Sequence, residues 1–232
     1  MNYIIYISLG TLPSFIWLAY FLRKDVHPES NLMVIKIFLY GMLAALPAVL
    51  IELGFVDFLS SFLKQTIFNQ ILYFFIGVAL VEETLKYLVV RDKALSDPEF
   101  DEPIDVMLYM IIAALGFAAL ENILYLFSLE IREAFLIASF RFVGAVFLHA
   151  LCSAVLGYFL ALSFFKTGER LKLLTLGFLI ATLLHGLFNF SIIMLEGSIR
   201  FVIPVIILIV LALVVSLGFE NLKKMASVCK TK

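Results

Sequence analysis

The sequence predicts an all-α fold, a polytopic transmembrane helix bundle of about seven spans with the N-terminus outside and the C-terminus inside. Three observations carry that expectation. Of 232 residues, 63% are hydrophobic and 15% charged, with a mean hydropathy of +1.09; a soluble domain is about half apolar and about a quarter charged. The apolar residues fall in runs long enough to cross a bilayer, which takes about 20 residues. The basic residues gather in alternate loops, as they do on the cytoplasmic side of membrane proteins.

The predicted spans are roughly 2–22, 33–54, 67–90, 104–128, 135–165, 171–195 and 199–219. In the first, Arg23 and Lys24 follow the apolar run. A cleavable signal peptide has the opposite order, so this reads as a retained helix. The second and last contain Pro47 and Pro204, which membrane helices tolerate as kinks. The fifth is long enough to tilt, or to begin as an interfacial turn near Phe135. With the N-terminus outside, the inner segments hold Arg23, Lys24, Arg91, Lys93, Lys166, Arg170, Lys172, Lys223, Lys224, Lys230 and Lys232. The outer loops hold only Lys64, Arg132 and Arg200. The acidic stretch from Asp97 to Pro103 is then an inner loop, ending on a proline suited to a helix start. No repeat or linker interrupts the chain, so residues 1–232 read as one membrane-embedded domain.

A net charge of −1 and the lack of a basic aromatic patch give no reason to expect a nucleic-acid partner. The partner that composition demands is the lipid bilayer, which makes this a multi-pass protein of the cell membrane. Cys152 lies in an apolar run and Cys229 in the polar tail, so no disulfide framework is expected.

Ionisable groups at mid-bilayer cost ~2.5–3.5 kcal/mol each on insertion scales, so each needs a reason. Away from span ends these are Glu82, Glu83, Lys86, Glu121, Arg141, His149 and His185, whereas Glu52 falls near the end of its span, within reach of water. At a rise of about 1.5 Å per residue, Glu82, Glu121, His149 and His185 come to similar depths, around the midplane or somewhat outward. They sit on four different spans. Glu82 and Lys86 share a helix face, as do His149 with Ser153 and His185 with Asn189. Glu83 can also approach Lys86 at i+3, but adjacent residues diverge by about 100°, so Glu82 and Glu83 are expected not to aim at one point, one acting while the other braces the helix or pairs with Lys86. Asn122 points away from Glu121 by the same rule, while Arg141 lies on roughly the side of His149.

Two imidazoles and a carboxylate on separate helices match a zinc-type ligand set with one open position, here Glu121, His149 and His185. A further glutamate could then activate water. Asn189 could donate to a developing oxyanion. A metal-free version is equally coherent, in which Glu82 or Glu83 and an imidazole hold and deprotonate the water. No HExxH motif is present.

These residues fall in four blocks that resemble the PrsW family of intramembrane proteases, within the larger group that includes the CAAX-prenyl endopeptidases and bacteriocin self-immunity proteins. Glu82-Glu83-Thr84-Leu85-Lys86 looks like the family's EExxK. Phe100-Asp101-Glu102-Pro103-Ile104-Asp105, with Leu115-Gly116-Phe117-Ala118-Ala119-Leu120-Glu121-Asn122, resembles its FDE…D and GFxxxEN block. His149-Ala150-Leu151-Cys152-Ser153 is like its HA-containing helix, and His185-Gly186-Leu187-Phe188-Asn189 is similar to HGxxD/N. The blocks run in order from the third to the sixth span, within about 67–195. Val106 and Met110 depart from the pattern, standing where glycines would flank Tyr109. The resemblance implies an endopeptidase acting on a membrane-anchored single-pass protein, often an anti-sigma factor, with zinc or another divalent metal. It implies Glu82, Glu83, Glu121, His149, His185 and Asn189 as catalytic. Lys86, Asn122, Arg141 and Ser153 are supporting candidates, with Arg141 read as a snorkelling or structural residue and Asn122 and Ser153 as helix–helix glue.

Two other classes compete. Acids and histidines at mid-depth also make proton relays in transporters and channels, although no paired broken helices are evident. A non-catalytic scaffold or immunity protein could retain the same motifs. For each imidazole taken alone, the competing reading is a hydrogen-bonded packing residue.

Overall fold

The computed structural model describes residues 3–25, 27–62, 66–95, 97, 100 and 102–229, without the side chains of residues 62 and 226–229. Lys64, Pro98, Glu99, Asp101, Lys230, Lys232 and the side chain of Cys229 therefore lie outside the described residues. Every regular element among those described is helical: α1 (Tyr3–Leu22), α2 (Asn31–Phe62), α3 (Ile67–Leu72), α4 (Val81–Lys93), α5 (Pro103–Leu126), α6 (Ile131–Val143), α7 (Ala145–Phe165), α8 (Arg170–Met194) and α9 (Ile199–Cys229). A π-helical segment, Tyr73–Leu80, joins α3 to α4, and a short 3₁₀ turn, Thr167–Glu169, precedes α8.

Six segments are long and apolar enough to cross a membrane: α1, α2, α5, α6–α7, α8 and α9. The seventh predicted span is the helical run α3–α4, which carries the acidic pair and Lys86 near its middle. Its π-helical stretch widens the backbone by one residue per turn, a feature that recurs at functional sites.

Three boundaries differ from expectation. α2 continues to Phe62 rather than ending near residue 54, because Phe55, Val56, Phe58 and Leu59 extend the apolar run past Asp57. Glu52 consequently lies well inside the helix. The fifth predicted span breaks at Gly144, where φ −90° and ψ −89° leave the helical region, giving α6 and α7. The last runs on to Cys229.

The core is built around α5. From Val106 to Ala119 its side chains are at most 1% exposed. Its start is fixed by Pro103 in the first turn and by the Asp105 carboxylate, which accepts from the Glu102 backbone N–H at 2.7 Å. Its close neighbours are α1, α2 and α7. In lipid the hydrophobic effect does not pull helices together, so small residues that let backbones touch do much of that work. A Cβ on Gly116 would lie 2.0 Å from the Phe38 carbonyl oxygen, and one on Gly41 2.2 Å from that of Ala113. On the opposite side, bare Gly157 of α7 meets the Cα of Met107 and the side chain of Met110. The bulk of Met110 is thus accommodated by a glycine on the facing helix.

Candidate active site

The site sits where α4, α5, α7 and α8 meet. Glu82 and Glu83 occupy the first turn of α4, one turn before Lys86. The Lys86 ammonium donates to Glu82 Oε2 at 3.1 Å and Glu83 Oε1 at 2.8 Å, and it lies 4.5 Å from the centre of the Phe117 ring. Both carboxylates therefore reach one point, contrary to the expectation that they diverge. The reason is reach: glutamate and lysine side chains are long enough to converge from directions that differ at Cα.

Across from α4, His149 of α7 has its Nδ1 2.8 Å from Lys86 Nζ and its Nε2 2.8 Å from Glu121 Oε2. Lysine offers only donors, so Nδ1 accepts and Nε2 carries the proton that Glu121 receives. One turn on, the Ser153 hydroxyl donates to Glu83 Oε2 at 2.7 Å. On α8, His185 Nδ1 lies 3.1 Å from Glu83 Oε1. Glu83 is an acceptor, so Nδ1 donates and Nε2 keeps its lone pair. That lone pair lies 3.8 Å from Glu82 Oε2, and the atom is buried without a hydrogen-bond partner. The two imidazole rings stand edge to face with centroids 4.9 Å apart.

Glu121 also pairs with the Arg141 guanidinium at 2.9 Å. Arg141 donates in turn to the side-chain oxygen of Asn122, whose amide reaches the Gly10 carbonyl of α1 at 3.5 Å. Asn122 thus joins the network indirectly, although it diverges from Glu121 at the backbone. Arg141 bridges groups here rather than reaching to the membrane surface. Its helix end is held by Trp17, which donates to the Phe142 carbonyl at 2.9 Å and stacks on Phe147.

The predicted residues separate into three groups. Glu82, Glu83, Lys86, His149, Ser153 and His185 form one buried cluster, each at most 4% exposed. Glu121, Asn122 and Arg141 form an adjoining network through His149. Among the described residues Asn189 has no hydrogen bond to the cluster; it lines a cavity of about 230 Å³ together with Arg141, Tyr125 and Gly144.

The carboxylate that converges with both imidazoles is Glu82 rather than Glu121. One donor atom from each of Glu82, His149 and His185 lies within 4.8 Å of the others. Glu121 is turned instead toward Arg141 and the far side of the His149 ring. Sequence reasoning also passed over Glu52, which is close enough to interact electrostatically with Glu121, Lys86 and Glu82. The apolar run beyond Asp57 was the available signal that Glu52 lies deep in its span.

The model of the PrsW family of intramembrane metalloproteases matches residues 29–220, most of the chain. The chain belongs to the PrsW family. Among curated proteins it is similar to Protease PrsW of Oceanobacillus iheyensis, 36% identical over 79% of this chain and 81% of that protein. Protease PrsW of Bacillus subtilis is 30% identical over 85% and 87%, and that of Geobacillus kaustophilus 33% over 79% and 77%. No solved structure matches. As a PrsW family member the chain is a peptidase and a multi-pass protein of the cell membrane, and a divalent metal is consistent with the family's description.

Proposed function

We propose that this PrsW family protein hydrolyses a peptide bond of a single-pass, membrane-anchored substrate, of the anti-sigma factor class, at the Glu82–His149–His185 cluster. The observation that carries this reading is the convergence of the Glu82 carboxylate on the two imidazoles inside a hydrophobic bundle. Glu82 is the acting carboxylate of the pair. Glu83 is saturated by Lys86, Ser153 and His185, so it holds those three side chains in register. Glu82 donates nothing and shares only Lys86 by hydrogen bond, which leaves it acceptor capacity for a water.

In the chemistry that follows, a water hydrogen-bonded between Glu82 and the free Nε2 of His185 loses a proton to the carboxylate as it attacks the scissile carbonyl. The Lys86 ammonium offsets the charge that gathers beside it. Proton return to the leaving amine regenerates the carboxylate. Asn189 and Arg141, at the adjoining cavity, are positioned to donate to the peptide backbone of the substrate.

The same three residues suit a divalent cation such as zinc. They offer two nitrogens and one oxygen: His185 Nε2 is buried with no partner among the described residues, whereas His149 Nδ1 would exchange the Lys86 ammonium for the cation. A cation bound there would polarise the carbonyl and lower the pKa of water. The basic loops support an outside N-terminus.

The test is cleavage of a single-pass substrate by the purified protein in liposomes. The wild type is expected to cleave, and the Glu82→Gln and His185→Ala variants to lose cleavage. Proton flux through the liposomes without cleavage of any substrate would overturn this reading in favour of a transporter.

A further inference from the structure

Hydrolysis consumes one water per bond, and the cluster that performs it is walled by helices. We infer that water reaches it through a polar cavity between α2 and α3, and that Glu52 is the positioning residue that hands water from this cavity to Glu82. The inference rests on the hydrolytic reading above.

Helix register places Glu52 at the site. Ala45, Ala48, Glu52 and Phe55 are spaced at three and four residues, so they form one stripe along α2. Ala45 and Ala48 pack in one cluster with Val81 and Leu85 of α4. Phe55 fills the space left by Gly77, where a Cβ would lie 2.4 Å from its ring. The two helical runs are antiparallel, and Lys93 lies over the Tyr40 ring at the far end of the same seam. Glu52 falls between these contacts, level with the turn that leads into Glu82. It interacts electrostatically with Glu121, Lys86, Glu82 and Tyr73, which are the titratable neighbours on the facing elements.

Immediately beyond Glu52 the seam opens. A cavity of about 280 Å³ is lined by Val56, Leu59, Ser60, Asn69, Gln70 and Tyr73. Val56 is one turn after Glu52, and Tyr73 one turn before Gly77, so the cavity lining begins one helical turn from the Glu52 layer. Four of its six lining side chains carry a hydroxyl or amide, which suits ordered water. The cavity at Arg141 and Asn189 differs: its remaining lining is apart from Tyr125 apolar, which suits a substrate chain. Glu52 is half-buried, one turn before Val56 of the cavity lining and one turn after Ala48 of the α4 packing.

Two measurements test this. In a Cys152→Ala, Cys229→Ala background, the Ser60→Cys and Gln70→Cys variants are treated in liposomes with a charged, membrane-impermeant methanethiosulfonate. Both are expected to react and to lose cleavage by about tenfold. For the second, Glu52→Leu is expected to lower kcat about tenfold with KM unchanged, and Glu52→Gln, which still hydrogen-bonds water, to recover most of it. Failure of the reagent to reach either thiol overturns the inference, as does wild-type kcat in Glu52→Leu. The labelling needs no proteolysis, so it decides the water route even if the hydrolytic reading fails.

Discussion

The Lys86 ammonium lies 2.8 Å from Nδ1 of His149, a contact between α4 and α7 made in the centre of the bundle. It fixes the tautomer of His149, directs Nε2–H at Glu121, and ties the acidic pair to the helix across from it. Lys86 is fully buried, so its charge is supported only by these partners. Removing one member of a buried ion pair typically costs ~3–5 kcal/mol, because the other is left uncompensated. Lys86→Met is expected to destabilise the protein by that amount in thermal unfolding in detergent, and to abolish cleavage.

Ser153 has a narrower role. Its hydroxyl donates to Glu83 and to nothing in the reaction path. A hydrogen bond to a charged group is worth ~1.5–3 kcal/mol. Ser153→Ala is expected to lower stability within that range and to reduce cleavage without abolishing it, as measured by unfolding and by kcat in parallel.

The alternative carboxylates can be separated by metal content. Elemental analysis of the purified protein is expected to find one divalent cation per chain in the wild type and in Glu121→Gln. Glu82→Gln and His185→Ala are expected to lose it. Retention in Glu82→Gln with loss in Glu121→Gln would restore Glu121 as the ligand.

The close packing of α5 makes a prediction independent of chemistry. A Cβ on Gly116 would meet the Phe38 carbonyl oxygen at 2.0 Å, a backbone atom that cannot swing aside. Overpacking of a tight core costs ~1–3 kcal/mol or more. Gly116→Ala is expected to lower the unfolding temperature by several degrees, whereas Gly54→Ala, which meets nothing within 4 Å, is expected to leave it unchanged.

The seven helical runs and the polar cluster were legible in the sequence for one reason: the bilayer penalises both short apolar runs and buried charge, so spans and exceptions stand out. Three features were hidden. The second span reads as ending near residue 54, although the apolar residues around Asp57 carry α2 on to Phe62, and Glu52 was therefore set aside. The break at Gly144 and the π-helical turn after Leu72 are backbone choices made by packing, with no charge or proline to announce them. The approach of both Glu82 and Glu83 to Lys86 was legible from the i+4 and i+3 spacings, but their meeting at one point was not, because reasoning from faces follows Cα directions, while long side chains gather from a wide arc. For the same reason Asn122, read as facing away, reaches Arg141.

The central claim is that Glu82 and His185, on different helices, act as one hydrolytic unit. A double-variant cycle on cleavage in liposomes tests it most directly. Groups that act together lose nearly everything when either is removed, so losses do not add. Glu82→Gln and His185→Ala are each expected to lower kcat/KM by about 10³-fold or more, and the double variant to be no worse than either. Near wild-type cleavage in either single variant, or losses that multiply in the double variant, would contradict the account.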